Sequence, residues 1–291
     1  MKKLLLATSI LGMTAGLAAA EITLSGDARM GILDDFGATG PVFNSRARVK
    51  FTMSGESDSG FTFGAEFRAN DAVAAASGTA GSVFISGGFG KLSMGDVDGA
   101  GAAAVGHVDG VGYTGLSDLN EITYFANGGD YSTSDPSALY EYSAGSLNVY
   151  LSATNPSGTD EAFGVGLKYV VSPAITVSAA YESYDPGSDQ NQYILGVDAT
   201  LGSVVLKARY ADASFDAQQV AVSATYTTGA LALTAFYADD DDGTLSGSST
   251  NEAYGIGASY DLGGGASVAG GYSSNETADT DAFDIGLKFS F

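Results

Sequence analysis

From Ile22 onward, apolar and polar residues alternate with a period of two, the spacing of β-strands whose two faces meet different surroundings. In the first such stretch Ile22, Leu24, Gly26, Ala28, Met30 and Ile32 share one face, and Thr23, Ser25, Asp27 and Arg29 the other. In the second, Phe43, Ala47, Val49, Phe51 and Met53 oppose Asn44, Arg46, Arg48, Lys50 and Thr52. The pattern predicts sixteen strands, at 22–33, 42–54, 60–70, 82–87, 90–97, 137–144, 146–154, 162–171, 174–184, 191–200, 203–212, 217–227, 230–239, 251–261, 265–274 and 281–291. Connections after even-numbered strands are short, such as Gly145 and Ser172-Pro173, and those after odd-numbered strands are mostly longer, such as 34–41, 71–81 and 240–250. Short turns on one rim and long loops on the other describe an all-β, sixteen-stranded antiparallel transmembrane barrel with its turns on the periplasmic side.

A soluble β-sandwich would also alternate. Its solvated face, however, is normally rich in lysine and glutamate, whereas here the polar face is mostly Ser, Thr, Gly, Asp and Arg, and sixteen strands would make an unusually large sandwich. A barrel of this size leaves a water-filled channel, which the polar face would line. The last strand fits the same picture. Phe283, Ile285, Leu287, Phe289 and Phe291 make an apolar stripe that lipid would meet. A chain exported unfolded must be recognised for insertion, so this ending, with Leu287, Phe289 and the terminal Phe291, also reads as an address.

At the other end, Met1-Lys2-Lys3, an apolar stretch from Leu4 to Leu17 and Ala18-Ala19-Ala20 describe a secretory signal at 1–20, cleaved after Ala20 to leave one barrel domain at 21–291. The full chain carries 12 basic and 34 acidic side chains, a formal net charge of −22. The first twenty residues hold two lysines and no acid, so the remainder stands at −24, which excludes nucleic acid as a partner. With no cysteine, stability must come from strand pairing and packing rather than disulfides.

Five basic residues, Arg29, Arg46, Arg48, Lys50 and Arg68, fall on the polar face of the first three strands. Arginine on the lipid side at mid-bilayer costs about 2–4 kcal/mol, so this face lines the channel and forms a positive patch there. The longest connection, about 98–136, follows Asp96 and carries Asp98, Asp109, Asp118, Glu121, Asp130 and Asp135 with no lysine or arginine. A loop this long either caps the barrel outside or folds into the lumen, and its Gly-Ala run at 99–104 would let it lie against the inner wall. Asp96, Asp98, Asp109, Asp118 and Glu121 would then face the bases across a constriction, setting up a transverse field that filters solutes by size and charge.

Other features carry less. The acidic run Asp240-Asp241-Asp242, preceded by Asp239, could offer oxygen ligands to Ca²⁺, although a solvated loop explains it as well and no spaced calcium motif is present. His107, the single histidine, lies alone in the long loop, and no catalytic constellation or nucleotide-binding motif accompanies it. Strands one to five contain no tyrosine, while thirteen tyrosines follow Leu139. Tyrosine suits lipid headgroups, so the early strands are expected to be covered by a neighbouring subunit.

The segments Ile22-Thr23-Leu24-Ser25-Gly26-Asp27-Ala28-Arg29-Met30-Gly31, Ser45-Arg46-Ala47-Arg48-Val49 and Lys91-Leu92-Ser93-Met94-Gly95-Asp96, the run from Gly257 to Ser267 and the terminal Phe291 resemble the general-diffusion porins of Rhodobacter-type purple bacteria. The resemblance implies a homotrimer in the outer membrane of a Gram-negative bacterium, in contact with lipid and lipopolysaccharide. It also implies a third outer loop that narrows each barrel, an arginine cluster facing acids, bound Ca²⁺ in some members, and a final strand, here ending in Leu287, Phe289 and Phe291, that serves as the assembly signal. The function expected is passive diffusion of small hydrophilic solutes and ions, with no catalysis, no required cofactor and a weak preference for cations. A substrate-selective pore is the alternative, and an adhesin or enzyme barrel a more distant one.

Overall fold

The computed structural model describes residues 21–36, 40–70, 81–126, 137–154, 161–185, 190–214, 217–240 and 252–291. Sixteen strands run β1 Glu21–Asp34, β2 Val42–Glu56, β3 Thr62–Asn70, β4 Ser82–Gly87, β5 Gly90–Gly95, β6 Ser137–Ala144, β7 Leu147–Ala153, β8 Glu161–Ser172, β9 Ile175–Asp185, β10 Gln190–Leu201, β11 Val204–Ala213, β12 Ala217–Thr228, β13 Leu231–Asp240, β14 Glu252–Gly263, β15 Ala266–Asn275 and β16 Thr280–Ser290. Every strand pairs antiparallel with its sequence neighbours, and β1 with β16 closes the barrel, in a register that sets Asp27 against Ser290 and Asp34 against Phe283. Closure leaves no sheet edge unpaired, which the hydrocarbon of a bilayer demands. Phe291 continues the seam past β16, its N–H donating to the Gly26 carbonyl at 2.9 Å.

The hairpin turns hold to the expected side. Two-residue links such as Gly145-Ser146 and Gly202-Ser203 start on glycine with φ +64, a left-handed backbone matched to the twist of the flanking strands. The fifth strand ends at Gly95 rather than at 97, because Gly95 turns to φ +119 and the Asp96 N–H reaches back to the Gly81 carbonyl.

Alternation places the apolar stripe of each strand outward, where Ile22, Leu195, Ile256 and Ile285 are all more than half exposed. Tyrosines ring this surface at two heights. Tyr142, Tyr169, Tyr226 and Tyr260 sit toward the turn rim, and Tyr181 and Tyr193, paired in register, toward the loop rim with Tyr237 and Tyr254, also paired. Such girdles mark the two interfaces of a membrane-spanning band. β1 to β5 carry none, and their outer face is phenylalanine instead, with Phe51 stacked on Phe67 at 4.8 Å and Phe43 almost fully exposed.

The packed core lies inside the lumen. Val105, Val108, Val111, Leu116, Ile122 and Tyr124, all from the long loop, are buried against the inward-facing Ile194, Ala211, Ala221, Phe236, Ala253 and Ala282 of the wall. Of the two positions open to it, the loop is therefore inside the barrel over residues 98–126, as its Gly-Ala content permits. Within it α1, Ala100–Val105, is a six-residue helix that the alternation did not reveal.

Candidate functional site: the loop-lined lumen

The wall is thinned where the loop lies on it. A Cβ added to Gly166 would meet the Ala100 carbonyl oxygen at 2.4 Å, one added to Gly271 would meet the Gly112 nitrogen at 2.6 Å, and one on Gly31 the Tyr113 ring at 2.8 Å. Inward-facing glycine thus lets backbone meet backbone, and the loop follows the wall from α1 on β7 to β10 round to β16 and β1.

Buried acids of the wall hold it there. Glu182 of β9 is fully buried, and its two carboxylate oxygens accept the Gly101 N–H at 3.0 Å and the Ala126 N–H at 3.1 Å, tying the two arms of the loop at one point. On the far side Asp284 of β16, 3% exposed, accepts the N–H groups of Tyr113, Thr114 and Gly271 and the Thr114 hydroxyl at 2.6 Å. Between the anchors, Gln219 accepts the Thr123 N–H, Gln192 donates to the Thr123 carbonyl, and Arg209 donates to the Gly106 carbonyl while pairing with Asp198 at 2.7 Å. Charged acceptors make the stronger hydrogen bonds, and buried groups of either kind are costly to leave unpaired.

The five basic residues come together on the opposite, uncovered wall. Register sets Arg29 across from Arg46 and Lys50 across from Arg68. Barrel closure adds Lys288, which stands across from Arg29 on its other side and escaped the sequence reading. Like charges in direct opposition repel. Two acids relieve them: Asp27 pairs with Arg48 at 2.8 Å and Arg46 at 3.2 Å, and Glu66 with Lys50 at 2.8 Å. Arg29 instead donates to the Thr114 carbonyl of the loop at 2.9 Å.

The expected acids divide into separate groups. Asp118 comes within electrostatic reach of Arg29, at the exposed end of a turn, Leu116–Asp118, whose residues all have positive φ. Asp109 is drawn to the wall, where Lys207 at 2.6 Å and the Thr225 hydroxyl at 3.1 Å hold it. Glu121 lies 3.7 Å from His107. Asp98 sits near Asp96 and Glu141, and partial enclosure together with those two carboxylates raises its pKa above the ordinary aspartate value. Asp130 and Asp135 lie outside the described residues.

His107 clasps the loop to itself. Its Nδ1 accepts the Ile122 N–H at 3.2 Å, and burial, helped by the Arg209 charge, lowers its pKa to about 4, so the ring is neutral at pH 7. Tyr124, whose hydroxyl donates to the Gly106 carbonyl at 2.6 Å, has its pKa raised by burial. Of the acidic run, Asp240 is buried and accepts from the Gln219 amide, while Asp241 and Asp242 lie outside the described residues. Among the described residues no group of three or more His, Cys, Asp or Glu could hold a metal ion.

Comparison with known proteins agrees with this geometry. A family model for Gram-negative porins matches residues 7–280. The chain is 38% identical to a porin of Rhodobacter capsulatus and 30% identical to a porin of Fuscovulum blasticum, in each case over 93% of this chain and the whole of the relative. Among solved structures it resembles a porin refined at 1.8 Å, with TM-score 0.78 and 35% identity, and an engineered variant of Rh. blastica porin, with TM-score 0.72 and 25% identity. Both superpositions cover 93% of this chain and all of the other.

Proposed function

The chain belongs to the Gram-negative porin family, non-enzymatic diffusion channels of the outer membrane, and from that premise we propose that its lumen sorts small hydrophilic solutes and ions by size and charge. One observation carries the reading. The long loop is seated inside the barrel on Glu182 and Asp284, so that solutes must pass between it and a wall bearing Lys288, Arg29, Arg46, Arg48, Lys50 and Arg68. Size is filtered by the space the loop leaves, and charge by the field between the basic wall and loop acids such as Asp118. The net acidity of the chain gives a weak cation preference that the basic wall moderates.

Reversal potentials in planar bilayers under a KCl gradient test this: modest K⁺ preference is expected, and strong anion selectivity overturns it. Liposome swelling with graded sugars distinguishes general diffusion, a smooth size cutoff, from a substrate-selective pore.

The tyrosine-free outer face of β1 to β5 supports a homotrimer in which that face meets a neighbouring subunit, while the girdled remainder meets lipid and lipopolysaccharide. Bilayer cross-linking that captured only monomers would refute it. Residues 1–20 would be the export signal, removed before assembly. Diffusion through the lumen requires no cofactor, and a structural Ca²⁺ on the acidic run would stand apart from it; of that run Asp240 is buried and accepts from the Gln219 amide at 3.1 Å.

A further inference from the structure

Resting on the charge-filter reading above, we infer that Asp284 is a positioning residue for the filter: through Thr114 it sets where Arg29 and Asp118 stand. The chain of contacts is continuous. Asp284 takes both the N–H and the hydroxyl of Thr114, at 2.8 and 2.6 Å, which holds in place the residue whose carbonyl receives the Arg29 guanidinium at 2.9 Å. The same hydroxyl accepts the Leu116 N–H at 3.2 Å and so holds the turn that presents Asp118.

That turn needs holding. Leu116, Ser117 and Asp118 have φ of +48, +63 and +54, a conformation that costs a side-chain-bearing residue energy at each position and persists only where surrounding contacts over-determine it. Leu116 is buried at 1% exposure, and Thr114 supplies the polar contact. Tyr113, lying over Gly31 and Gly286 with its N–H on Asp284, seals the other side. Within the basic cluster of β1 to β3, Arg46, Arg48 and Lys50 take partners from β1 and β3, whereas Arg29 donates a hydrogen bond to the loop. Asp284 never faces the solute, yet it governs the geometry of a cation that does.

The test is a double-mutant cycle on the mature chain in planar bilayers, reading the K⁺/Cl⁻ permeability ratio. D284N puts an amide where four donors converge. It is expected to shift the ratio toward Cl⁻ by about twofold, the scale of one solvent-screened charge interaction, because Arg29 is released while Asp118 loses its place. In an R29Q background the same change should have a smaller effect. T114V, which removes only the hydroxyl link and spares the wall, should reproduce the shift even where D284N fails to assemble, and T114S should restore the native ratio. An unchanged ratio in D284N and T114V, or an equal shift with and without Arg29, would overturn the inference. A native chain that formed no channel would instead overturn the porin reading beneath it, a distinguishable result.

Discussion

The inner wall from β1 to β6 and the inner wall from β7 to β16 are written in the same alternating pattern, yet they serve opposite ends. On the bare half, polar positions carry arginine and lysine toward water, and their acids, Asp27 and Glu66, are partly exposed partners that temper the repulsion. On the covered half, polar positions include glycine, glutamine and buried acid, and the anchors Glu182 and Asp284 bind backbone N–H groups of the loop, while cations such as Arg209 are turned to the loop and the wall, here to the Gly106 carbonyl and Asp198. A lumen-facing carboxylate therefore cannot be assigned from its strand position alone. What it does depends on whether a loop lies over it.

The two halves also differ in what losing a residue should do. Removing Glu182 strands the Gly101 and Ala126 N–H groups in a buried site, at about 1.5–3 kcal/mol for each charge-assisted bond. E182A should leave barrel pairing intact while the loop arms lift, seen as proteolytic cleavage within 98–126 and as noisy single-channel current. A protease-resistant loop in E182A would erase the distinction between the halves. A second effect on the covered side follows from His107. Its folded pKa, about 4, lies below the ordinary histidine value of about 6.5, so the clasped loop binds fewer protons than the open one between those values. Loop stability should then be full above pH 6.5, fall as pH drops toward 4, and level off below it, where a protonated Nδ1 no longer accepts from Ile122. Hydrogen exchange at the Ile122 amide reads this directly, and H107N should flatten the profile.

The alternation made the strands legible to within one or two residues at most boundaries, because lipid on one side and water on the other enforce the period physically. The basic patch was legible for the same reason. Lys288 was not found, although its signal was present: it occupies the polar face of the last strand, and closure against the first strand necessarily brings it beside Arg29. The anchors Glu182 and Asp284 were less accessible. Each is one acid among many on a polar face, and only register plus the path of the loop shows that it is covered. A weaker clue did exist in Ile194, Phe236, Ala211 and Ala253, apolar residues at channel-facing positions, which make sense only if something packs on them. The helix α1 is too short for its period to show, and the acids of the loop could not be sorted because loop conformation has no period.

A change on the seam should touch neither half. Deleting Phe291 removes the N–H that donates to the Gly26 carbonyl at 2.9 Å and its apolar ring, a loss of about 1–2 kcal/mol. Assembly yield should fall while conductance and selectivity of the barrels that form stay native. Altered selectivity in the truncated chain would mean that the seam and the filter are coupled.

The smallest effect should come from the bare half itself. Lys50 and Glu66 are 44% and 38% exposed, so water already solvates both and E66Q should change stability by less than about 1 kcal/mol. Asp27 serves two arginines rather than one, so D27N should shift the permeability ratio toward Cl⁻ further than E66Q, with stability again little changed. The order of the two shifts is the informative quantity. Equal shifts would mean that the bare wall acts as a uniform charge, whereas a larger one for D27N would locate the filter where Arg46 and Arg48 converge, beside the Arg29 that the loop holds.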